Sequence, residues 1–482
     1  MGIFELCNKV GAVLRCGKFF TSYEVSEVTT DSRRCKVGSI FAPILGYRCN
    51  GADFIYDAYE RGCRIFISET DGEFYEDCAV IMSENIRKTT AELAKILSGF
   101  NADKVKIIGV TGTKGKTGIV YTAAALLCGA GVKACSVGTL GVVDGSGELI
   151  EKTVNTTPES TELYRILAQA ESRGAEVVCL EVSSQAIKDY RIYGIDFFAV
   201  VFSSLGVDHI SPAEHCDFTD YICTKRKLFT DYKSLYKIFN ADDKYTSFFT
   251  FGTEKCIKCG FSDSSDYRIK KFKNGIFGSS FELNGIPFTT RFIASYEILN
   301  ASIALVCASL AASLPLCSFA ETLSAVSVPG RFERYLINGR HFIIDYAHNK
   351  QSFEGVLTTA GSLFHTRLIT VFGSVGERSY QRRRDLAQIA EKYSYRVIIT
   401  CDDPGFEDCE GICREISSNF KDRSKYKIVL DRELAIYEAY RTSRVGDVIL
   451  LLGKGHEQTM NISGKSIPFS EKDVLRNIEC YG

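Results

Sequence analysis

A glycine-rich segment at residues 111–117, Thr-Gly-Thr-Lys-Gly-Lys-Thr, constrains the fold more than any other part of the chain. An apolar run at residues 105–110 precedes it and predicts a short buried strand, and residues 119–127, rich in alanine and leucine, predict a helix after it. Glycines let backbone N–H groups approach phosphates, and a helix N-terminus adds partial positive charge. This order predicts an α/β fold with a polyphosphate site.

The side chains of this loop suggest ATP with Mg²⁺ as the ligand. Lys116 is predicted to reach the β- and γ-phosphates and the Thr117 hydroxyl to bind Mg²⁺. The loop departs from the Walker A pattern, because Val110 stands where that pattern has its first glycine. The alternative is a glycine turn with a surface lysine, which the flanking strand and helix disfavour. The predicted ATP-binding residues of the loop are Gly112, Thr113, Lys114, Gly115, Lys116 and Thr117.

Composition excludes several classes of protein. A length of 482 residues predicts about three domains, and 45% apolar with 24% charged residues is ordinary for a globular chain. With 58 basic and 59 acidic residues, binding to nucleic acid through bulk charge is not expected. No apolar stretch approaches the roughly 20 residues that span a bilayer, and residues 1–18 lack a signal-peptide layout. We therefore expect a cytoplasmic protein without membrane insertion.

The 19 cysteines are scattered singly, so we expect them to be reduced and many to be buried. Cys256 and Cys259 form the chain's C-x-x-C pair. Without a second such pair, this is a weak signal for zinc or redox chemistry.

The pattern of apolar runs divides the chain into three predicted domains, residues 1–103, 104–330 and 331–482. In the first, short apolar segments alternate with amphipathic stretches. In the second, runs at residues 175–182 and 197–202 predict buried parallel strands beside the phosphate loop. In the third, strands are predicted at residues 341–345, 368–372, 396–400 and 448–452, so that it forms a second α/β domain.

Polar residues follow two strands of the predicted central sheet. Glu181 lies at the end of one apolar run, and the loop after the next leads to Asp208 and His209. Ligands bind at the carboxyl ends of parallel strands, where the phosphate loop also lies. Glu181 is therefore a predicted Mg²⁺ ligand, and His209 a predicted metal ligand or phosphate donor. The alternatives are a carboxylate that caps a loop and a structural histidine.

The third domain offers a candidate amino-acid site in its strand-end loops. An arginine matches a carboxylate bidentately, and acidic side chains suit an ammonium group. At the start of this domain, Arg331 and Arg334 are candidates to reach ATP, with a solvated linker as the alternative. Each loop residue can also be an exposed charge. The candidates for the amino-acid site are Arg378, Asp402, Asp403 and Glu457.

Together these motifs resemble the Mur ligase family, and most of all its UDP-N-acetylmuramoyl-tripeptide synthetase (MurE) branch. The phosphate loop has the family form Gly-Thr-x-Gly-Lys-Thr, and the other motifs follow in family order over nearly the whole chain. Each motif alone is weak, but their ordered recurrence is specific. They are Thr30-Asp31-Ser32-Arg33, Asn155-Thr156-Thr157-Pro158, Glu181-Val182-Ser183-Ser184, Asp208-His209, Gly330-Arg331, Asp345-Tyr346-Ala347-His348 and Gly453-Lys454-Gly455-His456-Glu457.

The resemblance implies three domains: a uridine-binding one, a central ATPase with a mostly parallel sheet, and a C-terminal Rossmann-like one that binds an amino acid. Lys225, which taken alone would be a surface lysine, matches the family's carbamylated lysine. The implied catalytic residues are Lys116, Glu181, His209 and Lys225; the implied metal ligands are Thr117, Glu181, His209 and carbamylated Lys225. The implied substrate contacts are Ser32, Thr156, Thr157, Ser184 and Arg191, with Arg331 and Asp345 on ATP and Gly453 at the amino-acid site.

The reaction so implied is ATP-dependent amide formation in peptidoglycan precursor synthesis. The D-glutamate carboxylate of UDP-MurNAc-L-Ala-D-Glu takes the γ-phosphate, and the amine of a free diamino acid displaces phosphate from the acyl phosphate. Positioning and charge neutralisation carry such a phosphoryl transfer. The implied cofactors are ATP, Mg²⁺ and the carbon dioxide of the carbamate, and the implied state is a monomer.

Several positions depart from the family pattern. Members that add meso-diaminopimelate carry Asp-Asn-Pro-Arg, whereas this chain has Asp402-Asp403-Pro404-Gly405. Loss of the arginine and gain of a carboxylate predict L-lysine, or a diamine such as ornithine, as the added residue. The alternatives are a diaminopimelate-adding ligase, another Mur ligase, a folylpolyglutamate synthetase, or a catalytically impaired nucleotide-binding relative. The remaining departures are Gln185, Asp189 and Ser204.

Overall fold

The computed structural model describes residues 1–15, 23–46, 49–72, 74–206, 214–376 and 380–481 as a mixed α/β chain. The chain divides into two compact units. The first comprises Met1–Lys270, Glu282–Ile286 and Leu299–Leu323, and the second Lys271–Phe281, Pro287–Ile298 and Ser324–Gly482. The boundaries predicted at residues 103 and 330 do not coincide with this division and stay predictions.

The N-terminal part of the first unit has a five-stranded sheet of order β1-β5-β4-β3-β2, parallel except for β1. Apolar residues on both faces of β3 to β5 are buried, which explains their continuous apolar sequence. The elements are α1 (Ile3–Val10), β1 (Val13–Arg15), β2 (Glu27–Thr29), β3 (Ser39–Phe41), α2 (Ile55–Glu60), β4 (Ile65–Ser68), β5 (Ala79–Met82) and α3 (Ile86–Ser98).

The strands of the central sheet confirm those predicted at residues 105–110, 175–182 and 197–202. These strands are β6 (Lys106–Thr111), β7 (Ala134–Gly138), β8 (Gly141–Asp144), β9 (Leu149–Glu151), β10 (Val177–Glu181), β11 (Phe197–Phe202), β12 (Ser234–Asn240), β13 (Cys256–Gly260), β14 (Tyr267–Gly275), β15 (Gly278–Leu283) and β16 (Ile286–Thr290). The helices are α4 (Lys116–Gly129), α5 (Ser160–Ser172), α6 (Ser184–Lys188), α7 (Phe218–Thr230), α8 (Thr246–Thr250), α9 (Ser295–Ala312) and α10 (Ala320–Ala325).

The order β13-β12-β11-β6-β10-β7 is parallel throughout, and β8 and β9 extend it as an antiparallel meander. Because β6 lies between β11 and β10, the loops that leave these three strands emerge side by side at one edge. The phosphate loop therefore has Glu181 on one side and the segment after β11 on the other.

The second unit contains a six-stranded sheet of order β17-β18-β22-β19-β20-β21, parallel except for β17. The four strands predicted for the third domain are confirmed as β18, β19, β20 and β22. The elements are β17 (Glu333–Ile337), β18 (Arg340–Asp345), α11 (Lys350–Phe364), β19 (Leu368–Phe372), α12 (Tyr380–Tyr393), β20 (Arg396–Ile399), α13 (Cys409–Ser417), β21 (Tyr426–Ile428), α14 (Arg432–Thr442), β22 (Val448–Leu452), β23 (Thr459–Ile462), β24 (Lys465–Pro468) and α15 (Glu471–Tyr481).

Two sequence expectations need correction: that no apolar stretch approaches the length of a membrane span, and that all cysteines are reduced. Within the described ranges, α9 is long and apolar enough to cross a membrane by length and composition, with a mean hydropathy of 1.4. Of this helix, 61% is buried, and the core helix of a globular protein passes the same test of length and composition.

Cys401 and Cys409 form a disulfide with their Cα atoms 5.9 Å apart, because the loop after β20 returns to the start of α13. The expectation of fully reduced cysteines is wrong for this pair.

Candidate functional site

The phosphate loop connects β6 to α4 through two glycines with positive φ. Gly112 has φ +151° and Gly115 φ +88°, a region that side chains other than glycine rarely adopt. A Cβ atom at Gly112 would lie 2.0 Å from the Ser203 hydroxyl, and one at Gly115 would lie 2.6 Å from the Asn300 amide oxygen. Both positions therefore require glycine for backbone conformation and for space.

Hydrogen bonds hold the loop against the segment that follows β11. The Thr113 N–H donates to the Ser204 carbonyl at 2.7 Å, and the Lys114 N–H donates to the Ser204 hydroxyl at 3.1 Å. The Ser203 hydroxyl donates to the Thr111 carbonyl at 3.1 Å. Ser204, a departure from the family pattern, thus has a structural role in anchoring the loop.

Two ammonium groups converge on one carbonyl of the loop. Lys116 Nζ donates to the Gly112 oxygen at 2.8 Å, and Lys225 Nζ donates to the same oxygen at 3.1 Å. Lys225 is 1% exposed, and its ammonium lies 4.7 Å from the centre of the Tyr221 ring. The sequence around Lys225, taken alone, predicts a surface lysine. That prediction is wrong, because the face of α7 that carries Lys225 packs against the phosphate loop.

Tyr221 links α7 to the loop a second time, since its hydroxyl lies 3.0 Å from the Thr113 hydroxyl. At the start of this helix, His215 is 1% exposed, and its Nδ1 lies 3.0 Å from an Asp220 carboxylate oxygen. Burial lowers the pKa of His215, and Asp220 opposes this effect. His209 and Asp208, the predicted residues of this region, lie outside the described residues.

Glu181 is 1% exposed at the end of β10. Its carboxylate accepts from the Thr139 N–H at 2.8 Å and from the Thr139 hydroxyl at 3.3 Å. Thr157 donates to the Glu181 carbonyl at 2.8 Å, and the Thr156 hydroxyl lies 3.2 Å from that of Thr139. The structure thus brings three predicted residues, Thr156, Thr157 and Glu181, together at one strand end.

The oxygen donors at this edge fit Mg²⁺. Thr117 is the second residue of α4, at the end of the phosphate loop, and Glu181 ends β10, the strand next to β6. Mg²⁺ prefers a few carboxylate or hydroxyl oxygens completed by water and phosphate. Within the described ranges, no cluster of three or more histidine, cysteine or acidic side chains forms a site of its own. Thr117 and Glu181 thus offer oxygen donors of the kind that Mg²⁺ accepts.

Arg191 lies in a buried ionic network beside Thr157. Its guanidinium donates to the Thr157 carbonyl at 3.1 Å and forms ion pairs with Glu159 at 2.9 Å and Asp189 at 3.3 Å. Gln185 donates to the same Asp189 carboxylate at 2.8 Å. Two departures from the family pattern, Gln185 and Asp189, thus interact with each other and orient the predicted substrate arginine.

The remaining predicted substrate residues lie in two places. Ser184 is buried at the first position of α6, whose N-cap is Ser183. Ser32 is buried in the N-terminal sheet region, where its hydrogen bond is the main cause that lowers the pKa of Asp57.

In the second unit, Arg331 and Asp345 flank one corner of the six-stranded sheet. The Asp345 carboxylate accepts from the N–H groups of Phe332 and Ala347, each at 2.7 Å. The Arg331 guanidinium lies 4.7 Å from the centre of the Tyr346 ring. These contacts fix both predicted ATP residues at the start of this unit.

The predicted amino-acid residues meet around a lysine that was not a candidate. Lys454 has a fully buried side chain, and its ammonium lies 2.9 Å from both Asp403 oxygens and 2.5 Å from Glu457 Oε2. Tyr346 donates to Glu457 Oε1 at 3.4 Å, and Asp402 Oδ1 accepts from the Asp403 N–H at 3.0 Å. The signal in the sequence was Lys454 itself, between two glycines of a strand-end loop.

Charges and backbone geometry reinforce this cluster. Burial disfavours the Lys454 ammonium, but Asp402, Glu457 and Asp403 outweigh it and raise the pKa of Lys454. Burial also raises the pKa of Glu457, although Lys454 opposes it. Gly453 has φ +112°, and a Cβ atom there would lie 2.5 Å from Asp402 Oδ2. Arg378, the fifth predicted residue of this site, lies outside the described residues.

Comparison with known proteins matches this arrangement to one family. Residues 24–100 match the family model described as Mur ligase family, catalytic domain; residues 110–308 match the Mur ligase middle domain; and residues 330–455 match the Mur ligase, glutamate ligase domain. The UDP-N-acetylmuramoyl-L-alanyl-D-glutamate–2,6-diaminopimelate ligase of Aquifex aeolicus (strain VF5) is 34% identical over 97% of this chain and 96% of its own. The chain belongs to the Mur ligase family.

Two further comparisons agree. The UDP-N-acetylmuramyl-tripeptide synthetase of Borreliella burgdorferi is 28% identical over 96% of this chain and 95% of its own. A solved structure of a UDP-N-acetylmuramoyl-L-alanyl-D-glutamate–2,6-diaminopimelate ligase superposes with a TM-score of 0.68 at 25% identity, covering 96% of each chain. This Mur ligase is therefore an ATP-dependent amino-acid ligase, a peptide synthase, with the three-domain α/β fold of its family.

Proposed function

We propose that this Mur ligase adds the third residue to UDP-MurNAc-L-Ala-D-Glu through an acyl phosphate, and that the residue is L-lysine or a similar diamino acid. We further propose that it works in the cytoplasm as a monomer, in peptidoglycan precursor synthesis. The convergence of Lys116 and Lys225 on the Gly112 carbonyl, beside the strand that ends in Glu181, carries the proposal. The names of the relatives support its substrate.

In the proposed mechanism the phosphate loop binds ATP. The loop's N–H groups and Lys116 would hold the phosphates, while Thr117, Glu181, His209 and carbamylated Lys225 would hold Mg²⁺. The ion neutralises phosphate charge when bound. The D-glutamate carboxylate then attacks the γ-phosphorus, ADP leaves, and the amine of the incoming residue displaces phosphate from the acyl phosphate. Arg331 and Asp345 are the proposed additional ATP contacts.

The proposed dipeptide contacts are Ser32, Thr156, Thr157, Ser184 and Arg191. Thr156 and Thr157 lie against Glu181, so that a substrate there would meet the metal ligand. The guanidinium of Arg191 is oriented by Glu159 and Asp189 before any substrate arrives. Preorganisation of this kind lowers the cost of binding.

Carbamylation of Lys225 joins the neutral amine to carbon dioxide and releases one proton. The product is an anion, which would exchange a buried cation for a ligand of Mg²⁺. We expect Lys225→Ala to abolish turnover and a short carboxylic acid to restore part of it. Lys227→Ala, an exposed lysine on the same helix, is the matched control and should keep full activity. Full activity of Lys225→Ala would contradict the role.

Gly405 supports lysine over diaminopimelate. This position has φ +61°, and no atom of the described residues lies within 4 Å of where its Cβ would be, so the position has space but supplies no guanidinium of its own. A second carboxylate desolvated without its guanidinium partner would cost about 2–5 kcal/mol. Diaminopimelate is the second candidate, because the names of several relatives specify it.

The deciding experiment measures phosphate release with ATP, the UDP-dipeptide and either L-lysine or meso-diaminopimelate. Release that requires both co-substrates and is faster with lysine supports the proposal. Faster turnover with diaminopimelate would contradict the lysine assignment. Tight ATP binding without turnover would contradict the proposed ligase reaction. Gly405→Arg should raise turnover with diaminopimelate, whereas Gly446→Arg, another positive-φ glycine in open space, should not.

A further inference from the structure

Two strand-end loops of the second unit are tied together by one buried ion-pair cluster. Lys454 in the loop after β22 contacts Asp403 in the loop after β20 through both carboxylate oxygens, and it also contacts Glu457 in its own loop. Its side chain is fully buried, while Asp403 and Glu457 remain 23% and 29% exposed. The ammonium therefore lies beneath two carboxylates that still reach the surface.

This geometry changes how the acidic residues can act. Asp403 and Glu457 contact the Lys454 ammonium directly, and Asp402 acts on it through its charge, so the chain itself supplies the ammonium that these acids face. The neighbouring buried guanidinium of Arg432 is paired with Glu471. A buried lysine held by two acids, Asp403 and Glu457, cannot leave without uncovering unpaired charge. Asp403 also accepts the Asn461 N–H at 2.7 Å, so the same carboxylate anchors strand β23 of the β23–β24 hairpin.

We propose that Lys454 is a positioning residue of the amino-acid site. It holds the loops that carry Asp403 and Glu457 at a fixed separation and leaves the cluster with a net negative charge for the ammonium groups of a diamino acid. Asp403 then acts through its pair with Lys454 and does not by itself receive the substrate's side-chain ammonium. The inference rests on the proposed function, since it concerns the amino-acid site of that reaction.

The test compares KM values for the amino acid, ATP and the UDP-dipeptide in full-length variants. Lys454→Met should raise the KM for the amino acid at least tenfold, while the KM for ATP and for the UDP-dipeptide stays within twofold and kcat at saturating amino acid within threefold. Lys472→Met removes another ion-paired lysine of this unit, 2.7 Å from Glu333, and should change none of these values. A purely structural role would instead lower the active fraction and leave every KM unchanged.

The double variant Asp403→Asn/Lys454→Met removes both members of the pair. Its KM for the amino acid should be at least threefold lower than that of Lys454→Met. It buries fewer unpaired charges, so it is the variant to measure if Lys454→Met does not fold. In that case an amino-acid KM at least threefold above wild type, with the KM for ATP unchanged, supports the inference. An amino-acid KM equal to wild type in either variant overturns it. If the wild-type protein shows no turnover with any diamino acid, the proposed function itself fails.

Discussion

Gly112→Ala is the substitution with the most direct consequence for the phosphate loop. The added methyl group would lie 2.0 Å from the Ser203 hydroxyl and 2.9 Å from both the N and O atoms of Ser204. A side chain can rotate away, but the two backbone atoms cannot. The loop must therefore separate from the segment after β11, and the Gly112 carbonyl that both lysines contact must move with it.

The cost has two parts. A non-glycine residue at positive φ costs about 1–3 kcal/mol, and forcing a methyl group into packed backbone adds about 1–3 kcal/mol. Gly131→Ala isolates the first part, because Gly131 has φ +84° and no atom of the described residues lies within 4 Å of its Cβ position. We expect about 2–6 kcal/mol of destabilisation for Gly112→Ala and about 1–3 kcal/mol for Gly131→Ala.

Urea unfolding measures both stabilities, and phosphate release at varied ATP concentration measures the KM for ATP. We expect Gly112→Ala to raise this KM at least tenfold, which corresponds to about 1.4 kcal/mol of lost binding. Gly131→Ala should leave it within twofold. The reasoning would be refuted by a folded Gly112→Ala protein whose KM for ATP equals that of Gly131→Ala.

Three further predictions concern stability, each measured by urea unfolding. Burial raises the pKa of Glu297 to about 7 from an ordinary 4.5. The native carboxyl then keeps its proton where the unfolded chain has lost it, so stability should fall by up to about 3 kcal/mol as pH rises from 4.5 to 7, and Glu297→Gln should lack this fall. Reduction of the Cys401–Cys409 disulfide should cost about 2–3 kcal/mol in the loop-entropy model, and replacing both cysteines by serine should remove any effect of reductant. Arg432→Met should cost about 3–5 kcal/mol, because its carboxylate partner is fully buried, whereas Arg441→Met should cost less than about 1 kcal/mol, because the Arg441 side chain is 75% exposed.

Local patterns were enough to predict the elements around the phosphate loop. Continuous apolar runs identified β6, β10 and β11, because both faces of a parallel sheet are buried, and glycine spacing located the loop itself. The burial of Lys225 depends on which face of α7 packs inward. Tyr221 and Lys225 are four residues apart and share that face, so a helical count from Tyr221 was the available signal. The charge of the lysine, taken alone, predicts an exposed side chain.

The identity of the added amino acid depends on a balance of charges that single residues do not reveal. Asp403 taken alone indicated a receptor for an ammonium group, yet Lys454 already occupies both of its oxygens. Asp402, Asp403 and Glu457 still outnumber the Lys454 ammonium, and the neighbouring Arg432 is paired with Glu471, so the cluster remains negative. Lysine carries two ammonium groups and one carboxylate, whereas diaminopimelate brings a second carboxylate to a site with Gly405 in place of a guanidinium. The proposed preference for lysine therefore rests on the charge of the whole cluster, and a reversed preference in the turnover assay would contradict it.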